Sequence, residues 1–556
     1  MKHLFSTILL LSASYAFACT NLLITRGASV DNSNMVSYSA DSHTRYGTLV
    51  HYPAARWKAG TMLPVYEWGK DRYLGEIVQA PFTYNVIGNM NEHQLIIGES
   101  TWGGLDICYD PDGMVDYGSL MYIALQRAKT AREAIEIFTS LANEYGYASS
   151  GESISIADKD EVWFFEVIGK APKIVNGVNV NKGVVWVAVR IPDGYISAHA
   201  NAARITQFPQ NDPANCMFAP DVISHARELG LYNGKDEDFS FADTYGPLDF
   251  SAMRGCEARV WSFFNKHGDI DMSKYLDFAM GENPKNRMPL YVKAKSKLSV
   301  KNVADMMRDT YEGTYFDMTE DIGAGGHELP YRWRPMNFQV DGETYLNERA
   351  IATQQTGFWF VGQARPDYPN EIGGIIWFAV DDAGTSPLTP VYTSSTAISE
   401  HYALGNGSMI EYSPTSMFWL INRIAQFSYL RYNQIGREVK DVIDAHEYTM
   451  LEEIKEIDRE AMSLYENGRG RENVVKFLTE FSVTAADDLF NQFDRLDKYL
   501  LVKYIDGNIK KQDEKGNFIT NGHSKTIPPA PTYGDYSDKW KRAVKEDAGG
   551  RLKVKE

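Results

Sequence analysis

The chain has 556 residues, 44% of them hydrophobic and 13% aromatic, with a formal net charge of −17 and four cysteines. This composition supports buried cores and excludes a disordered protein, and the length exceeds the usual ~100–200 residues of one domain. The acidic balance argues against a nucleic-acid-binding surface, which needs clustered Lys and Arg, and so few cysteines in this length make no disulfide scaffold.

The chain opens with Lys2 and His3, followed by an almost unbroken apolar or small run that closes on Ala16-Phe17-Ala18. A short positive start, an apolar stretch and a small-x-small ending are the marks of a cleavable signal peptide over residues 1–18. The stretch falls short of the ~20 residues of a membrane span, and no later one is as long without charges. The expectation is a periplasmic or secreted protein without stable membrane insertion, its mature chain starting at Cys19.

Residues 20–25 and 35–41 read as two strands joined by Gly27-Ala28-Ser29-Val30-Asp31-Asn32-Ser33, which is turn chemistry. Folding back about Val30 sets Cys19 opposite Asp41. It places Leu22, Ile24, Val36, Tyr38 and Ala40 on one face, and Cys19, Asn21, Leu23, Ser37, Ser39 and Asp41 on the other. Further strands are expected at 95–98, 153–157, 162–167, 184–190 and 195–199. A helix over 119–128 precedes a second one, which opens at the capping pattern Thr130-Ala131-Arg132-Glu133 and ends at Gly146.

Strand groups alternating with helical pairs predict an α+β layered domain over residues 19–400. Residues 413–432, 446–467 and 472–504 read as long helices, giving a helical region over 401–505. From residue 506 the chain is polar and carries Pro528-Pro529-Ala530-Pro531, so 506–556 reads as an extended tail.

Cys19 is the residue with the clearest chemistry. An N-terminal cysteine carries its own base, because an α-amine titrates near ~8, far below a lysine. The amine can take the thiol proton, and the thiolate can then attack a carbonyl to give an acyl-enzyme that water hydrolyses. Ala16-Phe17-Ala18-Cys19 also loosely imitates a lipobox. Lipidation blocks both thiol and amine, so the two readings exclude each other. No CxxC, HExxH, GxSxG or Gly-rich phosphate loop occurs, so no metal or cofactor is implied.

Cys19-Thr20-Asn21-Leu22, Gly27-Ala28-Ser29 and an Asp on the return strand resemble the C69 family of dipeptidases. These are N-terminal-nucleophile hydrolases related to penicillin V acylases and bile salt hydrolases. The resemblance runs on through Asn91-Glu92, Glu99-Ser100-Thr101, Glu144-Tyr145-Gly146-Tyr147, Ser149-Ser150-Gly151-Glu152, Trp163 with Glu166, Asn201-Ala202-Ala203-Arg204-Ile205 and Arg259-Val260-Trp261. It implies an αββα four-layer sandwich with the nucleophile at the start of the first strand. By the same resemblance Asp41 holds the α-amine, the Asn201 amide and the Thr101 backbone N–H form the oxyanion hole, and Arg259 helps keep the thiol ionised.

One position departs from the pattern. Related hydrolases carry an Arg three residues before the Asp, and Tyr38 stands there, so the missing charge would fall to Arg26, to Arg45 or to neither. Asp110-Pro111-Asp112-Gly113 reads as a turn, because the carboxylate that would close a calcium loop is missing. His43 and His199 read as structural residues, and Cys216 and Cys256 could pair. The expected function is cleavage of dipeptides or short peptides through a Cys19 acyl-enzyme. The rivals are a non-peptide acyl-amide hydrolase of the same fold and a catalytically idle envelope lipoprotein or binding module. The expected partner is a small peptide substrate, and a homo-oligomer is compatible with the sequence.

Overall fold

The computed structural model describes residues 19–468 and 470–555; the expected signal peptide lies outside them. The chain is α+β. Its strands are β1 (Thr20–Ile24), β2 (Asn34–Asp41), β3 (Ile96–Gly103), β4 (Gly151–Ala157), β5 (Val162–Gly169), β6 (Val184–Arg190), β7 (Tyr195–His199), β8 (Cys216–Phe218), β9 (Tyr291–Lys293), β10 (Thr356–Ala364), β11 (Gly374–Val380) and β12 (Thr389–Tyr392), beside shorter pieces. One antiparallel sheet runs β9-β7-β1-β2-β10-β11-β12. The other runs β8-β6-β5-β4-β3 and continues through Met90–Asn91, Val86–Ile87 and His51–Tyr52.

The two sheets face each other. Leu23, Val36, Tyr38, Phe358 and Phe360 of the first share a buried cluster with Ile96, Phe164 and Val187 of the second. The first sheet's other face, with Leu22, Ile24, Met35 and Trp359, is covered by α3 (Ala258–His267) and α4 (Val300–Met307). The second sheet's outer face, with Ile97, Ile156 and Trp163, is covered by α1 (Tyr117–Arg127) and α2 (Ala131–Tyr145). The sheets come closest at Gly98, where an added Cβ would lie 2.4 Å from Asn21 Oδ1 and 3.0 Å from Tyr38 Cβ. Only glycine fits there.

The β1–β2 hairpin differs from its expected register by one residue. Leu22 pairs with Ser37 and Leu23 with Val36, so the fold-back centres between Ser29 and Val30. A one-residue slip exchanges faces. Leu22 and Ile24 therefore turn outward to the helices, while Cys19, Leu23, Val36, Tyr38 and Ala40 turn inward. The physical reason is the connection, which tightens into a 3-10 turn at Arg26–Ala28 instead of a symmetric loop. Cys19 then stands level with Ala40, and a bulge between Ala40 and Asp41 re-aims the next residue.

The capping signal before α2 is realised: Thr130 accepts from the Glu133 N–H at 3.3 Å, and Gly146 ends the helix at φ 81°. Glu133 itself reaches back to the Lys129 N–H at 2.7 Å, one residue earlier than a reciprocal box requires. The C-terminal helices are α5 (Met417–Tyr429), α6 (Arg437–Glu466) and α7 (Arg471–Tyr504). Ile454, Ala461, Val474 and Leu478 of the last two join the cluster on the outer face of the first sheet. The polar tail is extended as far as Ser537 and then turns helical over Asp538–Ala548.

Buried ion pairs fasten α6 to the sheet and to the end of α4. Arg365, at the end of β10, pairs with Asp458 of α6, whose Oδ1 also accepts from Tyr392 OH at 2.7 Å. Arg308 is held by Glu447 through Nη1 at 3.0 Å and Nη2 at 2.5 Å. Removing one partner of such a pair leaves an uncompensated buried charge. Asp458→Ala is therefore expected to cost ~3–5 kcal/mol of stability in urea unfolding. A loss below about 1 kcal/mol, the range of an exposed pair, would show that the helices are not fastened this way.

Candidate active site

Cys19 immediately precedes β1, the strand between β7 and β2 in the first sheet, and is 3% exposed. Its carbonyl accepts from Arg259 Nη1 at 2.7 Å. Arg259 is 1% exposed and follows a π-helical turn, Met253–Glu257, that precedes α3. Its remaining contacts go to Thr20 Oγ1 at 2.9 Å, Ala200 O at 3.1 Å, Asn201 Oδ1 at 3.0 Å and Gly255 O at 3.0 Å. The guanidinium thus lies against the carbonyl of Cys19. The resemblance had placed its charge in the service of the sulfur.

Asn201 follows β7 in the left-handed region, at φ 59°. Arginine can only donate, so the Arg259 contact fixes the oxygen end of the Asn201 amide. Nδ2 then donates to Thr101 O at 2.7 Å. Thr101 in turn donates through Oγ1 to Glu152 Oε1 at 2.9 Å. Cys19, Arg259, Asn201 and Thr101, widely separated in the chain, are thereby joined by consecutive hydrogen bonds. Glu166 anchors the segment that follows Asn201, accepting from Arg204 N at 2.6 Å, Ile205 N at 3.0 Å and Ser153 Oγ at 3.0 Å.

Asp41 is buried beside the thiol. Its carboxylate accepts from Thr356 Oγ1 at 2.7 Å and Ser39 Oγ at 3.1 Å, and it pairs with Arg349. Burial raises the Asp41 carboxyl above its usual range, against the lowering by Arg349 and Thr356. Burial and the neighbouring Arg259 push Arg349 down to about 10. The cation at Asp41 is therefore Arg349, from 308 positions further along the chain. Neither residue named from the sequence pairs with Asp41: the Arg26 backbone N–H donates to Asn34 Oδ1 at 2.8 Å, and Arg45 stacks over Trp68 at 3.6 Å with its charge bearing on Glu99. No local pattern around Arg349 marks it.

Tyr38 has a specific task. Its hydroxyl donates to Glu99 Oε1 at 2.6 Å, and the Cys19 thiol lies 3.6 Å from the same oxygen. Asn21 Nδ2 holds the Glu99 carbonyl at 2.5 Å, which ties β1 to β3 beside Cys19. Glu99 and Glu152 are both fully buried, and their side chains are hydrogen-bonded to each other. Two adjacent buried carboxyls cannot both ionise; they share a proton. Burial raises Glu99 to about 7 and pushes Glu152 well above the carboxylate range, Glu99 adding to the latter. Glu99 and Glu152 carried no role in the sequence reading, although both lie in the segments that resemble the family.

Burial also raises the Cys19 thiol well above its ordinary value, and Glu99 and Asp41 add to this. The Asp41 backbone N–H and Arg349 oppose it. The resting species is a thiol that donates towards Glu99. His199 is structural, with Nδ1 2.6 Å from Ser100 Oγ and Nε2 2.7 Å from Ser155 Oγ. All four cysteines are free thiols, so Cys216 and Cys256 do not pair. Asp110 sits in a turn and accepts from Asn179 Nδ2 at 2.9 Å. Among the described residues no group of three or more His, Cys, Asp or Glu is placed to hold a metal ion. Among them, too, no helix is long and apolar enough to cross a membrane.

The shared proton has a consequence for stability. An unfolded glutamate releases its proton near ~4.3, whereas Glu99 keeps its own to about 7 in the fold. This contribution is fully present below the unfolded value and is lost as pH rises through the folded one. Glu99→Gln keeps the neutral form at every pH. Thermal melts at about pH 5 and about pH 8 should show a smaller drop in the variant than in the wild type. Equal drops would remove the pair as a titrating element.

The model of Peptidase family C69 matches residues 18–445. A "Probable dipeptidase" of Salmonella dublin is 23% identical over 428 residues, covering 73% of this chain and 87% of that protein. A "Probable dipeptidase B" of Lactococcus lactis subsp. lactis (strain IL1403) is 24% identical over 493 residues, covering 85% and 93%. "Dipeptidase A" of Lactobacillus helveticus is 24% identical over 479 residues, covering 82% and 90%.

Proposed function

The chain belongs to peptidase family C69, and from that premise we propose that it is a dipeptidase that works through Cys19 as an N-terminal nucleophile. The observation that carries this reading is the placement of Cys19. It stands at the head of a central strand, between two facing sheets, with Asp41, Asn201, Thr101 and Arg259 drawn around it from distant segments. Two sheets between helical layers support an N-terminal-nucleophile hydrolase fold.

In this mechanism a signal peptidase removes residues 1–18 as the protein is exported, and the cut frees the α-amine of Cys19. The amine takes the thiol proton and the sulfur attacks the carbonyl carbon of the substrate's first residue. The carbonyl electron pair moves onto oxygen, where the Asn201 amide and the Thr101 N–H receive the charge. Collapse of this intermediate breaks the C–N bond, and the leaving amine takes the proton back from the Cys19 ammonium. Water, deprotonated by the same amine, then hydrolyses the thioester. Asp41, held by Arg349 and Thr356, orients the amine, and Arg259 holds the Cys19 carbonyl and the Asn201 amide in place.

The test begins with the intact mass and N-terminal sequence of protein recovered from its native host. A free Cys19 start at unmodified mass is expected. A diacylglycerol adduct with a blocked terminus would turn Cys19 into an anchor and end the enzyme reading. One Ala inserted before Cys19 should abolish dipeptide turnover without shifting the melting temperature; full activity in that protein would refute the amine as base. Asn201→Ala should lower kcat about 10²–10³-fold, the usual cost of one oxyanion donor, and steady-state kinetics at saturating dipeptide measures it.

A further inference from the structure

Asp41 lies among more positive charge than it can balance. Arg259, Arg334 and Arg349 bear on one another, and Asp41 is the carboxylate paired with Arg349. The other acids near these arginines are engaged: Glu348 pairs with Arg254 at 2.8 Å and Asp321 pairs with Arg332 at 2.6 Å. Arg334 forms no ion pair among the described residues. Its Nε donates to Gln355 Oε1 at 2.7 Å, and it lines a cleft together with Arg332, Glu348 and Arg349. Gln355 supplies an unsatisfied donor, since Nε2 is buried and has no hydrogen-bond partner among the described residues. A buried amide donor without a partner, beside a guanidinium that forms no ion pair, suits an anion.

The position is right for one end of a substrate. Gln355 directly precedes Thr356, whose hydroxyl holds Asp41, and the Asp41 backbone N–H reaches the thiol. Arg334 also lines one cleft with Arg349, the residue that pairs with Asp41. In a dipeptide the terminal carboxylate lies one residue, ~3.3–3.6 Å of extended chain, beyond the attacked carbonyl. The Arg334 backbone is pinned where the exposed hairpin Asn337–Val340/Glu343–Leu346 begins. There Asn347 Nδ2 ties the Trp333 and Pro335 carbonyls at 2.6 and 3.0 Å.

We propose that the Arg334 guanidinium and the Gln355 amide bind the free α-carboxylate of the substrate's second residue and so restrict the enzyme to unblocked dipeptides. The proposal rests on the dipeptidase reading and adds the residues that read the substrate's C-terminal end. A planar guanidinium suits a carboxylate because it offers two parallel N–H groups, which a lysine cannot.

The experiment measures kcat/KM on processed wild-type protein, Arg334→Ala and Arg334→Lys. Substrates are alanyl-alanine, leucyl-alanine and methionyl-alanine, each beside its C-terminal amide, with melting curves to confirm folding. Wild type should prefer acid over amide about 100-fold, as expected for two charge-assisted hydrogen bonds. In Arg334→Ala that ratio should fall to near unity, with the loss carried by KM, and Arg334→Lys should recover only part of it. If Arg334→Ala keeps the wild-type ratio, or lowers acid and amide alike, the carboxylate role is overturned and the dipeptidase reading stands. If the wild type cleaves no dipeptide, the parent reading fails and takes this proposal with it.

Discussion

A buried guanidinium fixes the centre of this molecule. Arg259 is 1% exposed, and its acceptors are the main-chain carbonyls of Cys19 and Ala200, a threonine hydroxyl, an amide oxygen and the carbonyl of Gly255. Moving any of these leaves part of a buried cation unsolvated, a penalty of several kcal/mol for a charged group. The start of β1, the segment after β7 and the turn before α3 are therefore locked together. That lock also sustains Asn201 in a backbone region that a non-glycine residue seldom adopts. None of the acceptors carries a full charge, so the field of Arg259 persists at the site.

Around this fixed point the charges divide by sheet. The second sheet contributes the Glu99–Glu152 pair, which shares one proton, and sets it against the thiol. The first sheet contributes Asp41, at the end of β2, where Arg349 and Arg334 gather. Cys19 lies between an acidic side and a basic side. A small zwitterion is the simplest molecule that complements both, and on the basic side Gln355 Nε2 has no hydrogen-bond partner among the described residues.

What could be read from the sequence follows from the range of the forces involved. The strands at 184–190 and 195–199, the cap at Thr130 and the stop at Gly146 were legible because they depend on neighbours a few residues away. The hairpin's existence was legible too. Its register was not, because alternation alone cannot detect a 3-10 turn that shortens the loop by a fraction of a turn. Arg349 was invisible for another reason: it meets Asp41 across 308 residues, and nothing local distinguishes it from a surface arginine. Tyr38 showed as a departure from a pattern, but its meaning depends on Glu99, which lies on the other sheet.

The protonation state of Cys19 narrows the choice of base. Burial and two carboxylates hold the sulfur as a thiol, so in the proposed mechanism its proton leaves as substrate arrives. His199 cannot take it, because both ring nitrogens are bound to serines and burial drives its pKa well down. Glu99 is within reach at 3.6 Å, yet it already shares a proton with Glu152, and accepting a second would have to occur beside a developing negative charge. An α-amine near ~8 is better matched to the thiol, and on Cys19 itself it needs no further positioning. In the proposed mechanism the Glu99–Glu152 pair opposes premature ionisation of the thiol, and the cut that would free the amine would also create the base.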